Sequence, residues 1–149
     1  LMTSALYFLA IPATLIIPLL SDRIGRRKPF LWILALLAAG ASYGLLVTPL
    51  AFGWILAATL GFATAGIMVV CYMLPVEMVS ISALGRASGI IVSVGFVGGI
   101  VGPFIAGLLR DVTQSFVAVI LLLVVSALLA GAIAALVRET GKGRRDLGE

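Results

Sequence analysis

The sequence predicts an all-α integral membrane protein with five transmembrane helices. Of its 149 residues, 62% are hydrophobic and 11% charged, where soluble domains carry about 25% charged residues. The apolar residues fall into long runs, each close to the roughly 20 residues that carry a helix across a 30 Å hydrocarbon core. The runs are unbroken rather than alternating, which argues against a β-barrel. Lipid offers no hydrogen-bond partner to the backbone, so each run must be a helix.

The first run covers residues 1–20. Leu1 is not an initiator methionine and no charged segment precedes the run, so it is not read as a signal peptide. The chain reads as a fragment of something longer. The second run covers 30–48, and "TPLAF" (48–52) links it without any charge to a third at 52–74. The fourth covers 87–109, and "RDVTQS" (110–115) leads to the fifth at 115–137. Links this short require antiparallel neighbours. A polar tail follows at 138–149.

Charge orients the runs. Arg23, Arg26, Arg27, Lys28, Arg86, Arg138, Lys142, Arg144 and Arg145 fall on one side of the membrane, and Arg110 alone on the other. Basic residues mark the cytoplasmic side, so the tail is expected in the cytoplasm and the first run enters from outside. Trp32 and Trp54 fall just inside opposite faces, where amphipathic rings are favoured. The expected location is the plasma (inner) membrane. A net charge of +4 distributed in this way encodes topology, and no nucleic-acid partner is expected. The chain has a single cysteine, Cys71, and no histidine, so an intramolecular disulfide, a zinc site built on histidine and Ser-His-Asp chemistry are excluded within it. Neither a metal nor a cofactor is expected.

The densest charge lies in "SDRIGRRKPF" (21–30). Ser21 and Asp22 can cap or end a helix, and Gly25 permits a tight turn. Arg26, Arg27 and Lys28 then meet the headgroups, with Pro29 suited to the first turn of the next helix. Asp22 contributes little to orientation, so its place beside four basic residues points to a specific partner, an arginine or a helix N-terminus.

"PLLSDRIGRRKP" resembles the D-R-x-G-R-R loop motif of the major facilitator superfamily, matched at Asp22, Arg23, Gly25, Arg26 and Arg27. The motif's leading glycine is replaced by Pro18, as in the copy of the motif carried by the second half of these transporters. The resemblance implies that these charges form a network with neighbouring helix ends that locks and releases a cytoplasmic gate. "LPVEMVSISALGRASGI" (74–90) resembles the family's cytoplasmic link after the tenth helix, with Glu77 and Arg86 as members of that network. A charge at this depth should find a partner, and Arg26 or Arg27 lies on the correct side to supply it.

"GFVGGIVGPFIAGLL" (95–109) carries Gly95, Gly98, Gly99, Gly102, Pro103 and Gly107. Gly95, Gly99, Gly102 and Ala106 make a stripe nearly free of side chains, where helices can approach closely. Gly102-Pro103 is a pliable point, similar to the family's glycine–proline motif. Close packing and a hinge in alternating access are both open readings. Gly40 and Gly44 read as packing only. On the first run Thr3, Tyr7 and Thr14 share a face, and on the third Thr64, Met68, Cys71 and Tyr72. The resemblance puts Tyr7, Thr14, Thr64, Met68 and Tyr72 on a central cavity; the competing reading is hydroxyls bonded back to their own helices.

A half of such a transporter has six helices in two inverted repeats, so five spans starting outside lack one. Helices eight to twelve are favoured over two to six, on Pro18, the outer turn at "RDVTQSF" and the short mixed-charge tail. The expected function is secondary or facilitative transport of a small solute by alternating access, with the lipid bilayer and the remainder of the transporter as partners. A membrane-embedded enzyme and a structural membrane subunit are the alternatives. The former lacks an acidic pair within one span and a nucleophile beside a base.

Overall fold

A computed structural model describes residues 2–136; the side chains of residues 2–6, 50, 77 and 78 lie outside the description, as does the tail. Five long helices fill this stretch: α1 (Met2–Ile24), α2 (Lys28–Val47), α3 (Gly53–Met78), α4 (Ile81–Thr113) and α5 (Phe116–Leu136). All five are long and apolar enough to cross a membrane. The fold class expected from composition is therefore the one observed.

At the basic end the helices extend beyond the hydropathy runs: α1 and α3 end later, and α2 and α4 begin earlier. α1 continues through Ser21 and Asp22 to Ile24, so these residues do not cap or end it. α3 passes through Pro75 to Met78, and Val79 N–H then bonds to the Pro75 carbonyl at 3.1 Å. α4 begins at Ile81 rather than 87 and runs for 33 residues. The expected cytoplasmic link at 76–86 is thus mostly helical, and Arg86 sits in the second turn of α4. Helical backbone continues past the hydrocarbon edge because polar side chains there do not oppose it; hydropathy marks only the lipid-facing part.

Packing is uneven. α3 lies against both α1 and α2, and α2 lies against α5, while α4 touches α3 and α5 only lightly. α1 and α2, though joined by a short turn, each pack on α3 more than on each other. Burial follows this order. α2 buries Phe30, Leu31, Leu34, Ala35, Ala38, Ala39, Ala41 and Ser42, a broad stripe because it has partners on two sides. Ala13 and Ile17 of α1 meet Val70 of α3 and Leu34 of α2 in a common core. Ala13 and the buried alanines of α2 are small enough to let backbones approach, the usual basis of helix association in lipid.

Two glycines show how close the approach is. A β-carbon on Gly66 would lie 2.9 Å from Leu34 Cδ1 and 3.2 Å from Ile17 Cγ1, so α1, α2 and α3 meet on this residue. One on Gly44 would meet Leu56 at 3.0 Å, whereas one on Gly40 meets nothing within 4 Å. The packing expected at Gly40 and Gly44 is therefore confined to Gly44.

The turns at the far end are locally built. Gln114 adopts a left-handed conformation (φ 51°) that ends α4, and its side chain amide donates to the Asp111 carbonyl at 2.7 Å. Ser115 Oγ accepts from Val117 N–H at 3.2 Å, capping α5. The Arg110 guanidinium stacks 4.8 Å from the Phe116 ring centre.

Candidate gating cluster at the basic end of the bundle

The turn between α1 and α2 is only Gly25 to Arg27. It works because Gly25 takes φ 66°, where a β-carbon would be strained, and its N–H still bonds to the Ser21 carbonyl at 2.9 Å. Pro29 then lies in the first turn of α2, where its missing N–H costs nothing. This reversal folds Arg27 back onto the last turn of α1.

Arg27 is the centre of the cluster. Its side chain is 9% exposed, and Nη2 lies 2.5 Å from Asp22 Oδ1, whose own side chain is 56% exposed. Nη1 donates to Ser21 Oγ at 3.0 Å. Ser21 is fully buried, and its hydroxyl also reaches the Arg26 carbonyl at 3.4 Å. A planar guanidinium suits this role because it can serve two acceptors at once. Asp22 thus has the arginine partner its placement suggested, within the same turn. Arg23 and Arg26 are exposed.

The other expected members lie at the same end of the bundle. Glu77 falls in the last turn of α3, and its side chain is outside the described residues. Arg86, exposed, lies in the second turn of α4. Connectivity places the end of α1, the start of α2, the end of α3 and the start of α4 together at one end.

Ser21 is the member that sequence reasoning missed as a site residue. The signal was present: a small hydroxyl one residue before an acid, at the start of a basic motif, on the helix face that carries Ala13 and Ile17 at four-residue steps. Its value lies in burial, which the motif alone does not reveal.

The polar faces on α1 and α3 are exposed. Tyr7 is 65% accessible, Met68 55% and Tyr72 39%, and Thr14 and Thr64 are also exposed. Thr14 donates to the Ile11 carbonyl at 2.7 Å and Thr64 to the Leu60 carbonyl at 2.8 Å, so both hydroxyls bond back to their own helices. The two faces belong to helices that pack on each other, and they remain accessible. Thr3 lies outside the described side chains.

The glycine stripe differs from a simple intramolecular seam. A β-carbon on Gly95, Gly98, Gly99, Gly102 or Gly107 meets nothing within 4 Å, and α4 buries no residue. Among the described residues no helix packs on the stripe. α4 also continues without a break through Gly102 and Pro103.

No characterised protein and no solved structure matches the chain. A family model does, over residues 1–148, which is nearly the whole chain. With five apolar helices and this match in agreement, the chain is an integral, multi-pass membrane protein and belongs to the Major Facilitator Superfamily.

Proposed function

We propose that the chain forms helices eight to twelve of a transporter that moves a small solute by alternating access, with its C-terminus in the cytoplasm of a plasma-membrane protein. The single observation that supports this best is the buried Arg27 closed onto Asp22 and Ser21, at the end where four helices turn. A topology signal alone needs basic residues at the surface, not a buried guanidinium with a carboxylate partner. Membership of the family supports transport in general; the gate is our reading of the cluster. Glu77 and Arg86 join it from α3 and α4. Tyr7, Thr14, Thr64, Met68 and Tyr72 line the solute path. Gly95, Gly98, Gly99, Gly102, Pro103 and Gly107 form the surface on which a helix of the remaining transporter packs.

Uptake of a panel of small solutes into liposomes tests the function. The full-length protein should give saturable uptake of at least one solute, chemically unchanged. Chemical conversion without accumulation would mean a membrane enzyme, and neither would mean a structural subunit.

Orientation is tested by labelling. In a Cys71→Ser background, Arg23→Cys should resist an impermeant maleimide added outside intact cells, and Gln114→Cys should react. The reverse pattern would overturn the topology.

The stripe is tested by Gly102→Leu. The substitution meets open space within this chain, so the five helices should fold and insert as before. Transport should fall at least tenfold, because the added side chain blocks close approach of the next helix. Normal uptake would remove the stripe from the account.

A further inference from the structure

A groove between α2 and α5 remains outside this scheme. Trp32, Ala35 and Leu36 line one wall and Ala127, Leu128 and Gly131 the other, enclosing about 190 Å³. Its floor is tight, with a β-carbon on Gly131 only 3.3 Å from Ala35 Cβ. The lining is apolar and the groove lies toward the basic end, since Trp32 is in the second turn of α2.

Among the described side chains, basic residues outnumber acidic ones at that end. Lys28 begins α2 one turn before Trp32, on the same side of the helix. Arg26 is exposed next to it. Asp22, the acid in this turn, is already engaged by Arg27. An apolar slot is therefore bordered by a tryptophan at interfacial depth and, beyond it, by cationic side chains. Basic pockets between transmembrane helices are suited to anionic lipid headgroups.

We propose that this groove binds an anionic phospholipid, with part of one acyl chain between Trp32 and Gly131 and the phosphate on Lys28 and Arg26. The slot holds a segment of chain rather than a compact solute, and the cations discriminate the headgroup. Neither element suffices alone: lipid wets any outer face, and basic loops attract any anionic surface.

The test exposes the full-length protein in detergent to equal amounts of phosphatidylglycerol and phosphatidylcholine with identical chains. Native mass spectrometry then reads the lipid retained. Phosphatidylglycerol should be retained preferentially, and Lys28→Gln should cut that preference about fivefold, the effect of one basic residue near a charged surface. Ala127→Leu, which fills the slot, should lower retention of both lipids without shifting the melting temperature. Trp32→Ala, at the exposed rim, gives the same reading if Ala127→Leu fails to fold. Equal retention of the two lipids would overturn the proposal, as would a preference that survives Lys28→Gln. Loss with Lys28→Gln but not with either groove variant would reduce the site to surface charge. A species of twice the mass, carrying no lipid and dispersed by Ala127→Leu, would assign the groove to a second copy of the chain.

Discussion

Gly66→Leu should abolish the folded protein. A single β-carbon at this position already lies within 2.9 Å of Leu34 and 3.2 Å of Ile17, and three further heavy atoms follow it. One surplus methylene in a packed interior costs about 1–3 kcal/mol, and here the excess falls where three helices meet. Lipid supplies no hydrophobic force to hold displaced helices together, so close packing is most of what associates them. Gly66→Ala should be intermediate, since the atom met first, Leu34 Cδ1, is the end of a flexible side chain. Size-exclusion profiles and melting curves in detergent check both. A monodisperse Gly66→Leu protein with an unchanged melting temperature would contradict the packing described.

Asp22→Asn should slow transport while leaving solute affinity within about twofold. An exposed ion pair contributes about 0–1 kcal/mol, and removing one partner of a buried pair costs about 3–5 kcal/mol. This pair lies between those limits, with Arg27 buried and Asp22 half in solvent. A shift of about 1–2 kcal/mol changes a two-state ratio roughly 5- to 30-fold. That is the scale on which a ligand or mutation redistributes conformations. Ser21 still accepts from Arg27 in the variant, so the turn itself should survive. Glu77→Gln should act in the same direction, and the double variant should be less than additive if both carboxylates serve one network. Unchanged uptake in both single variants would leave the motif as a topology signal. Loss of binding would move it into the solute site.

Hydropathy encodes the spans of this chain but neither their ends nor their packing. The number of spans was legible because burial in lipid demands long apolar runs whatever the tertiary arrangement. The Gly25 turn was legible because a reversal of three residues between helices needs a left-handed position. The helix ends were not: Ile81 to Arg86 is polar enough to resemble a link, yet it is the first part of α4. Glycine patterns were ambiguous in both directions. Gly40 and Gly44 look alike in sequence, but only Gly44 faces another helix. Gly66 stands alone without a repeat and carries the closest contact. The α4 stripe would read identically whether it packs inside the chain or against something else. Of the charge cluster, the partnership of Asp22 with an arginine was legible from the excess of basic residues. The identity of that arginine, and the role of Ser21, depended on the fold-back of the turn.

The central claim is that the Arg27 cluster sets the balance between two states of access. It can be measured without knowing the solute. In the full-length Cys71→Ser protein, a cysteine at Thr64, on the exposed face of α3, would report which side of the membrane reaches the path that we propose this face lines. Alkylation rates with an impermeant maleimide are compared in right-side-out and inside-out vesicles, with and without Asp22→Asn. The account predicts that the ratio of the two rates shifts by roughly 5- to 30-fold, in proportion to the loss of the Asp22–Arg27 pair. An unchanged ratio, with the protein folded and Thr64→Cys reactive, would contradict it.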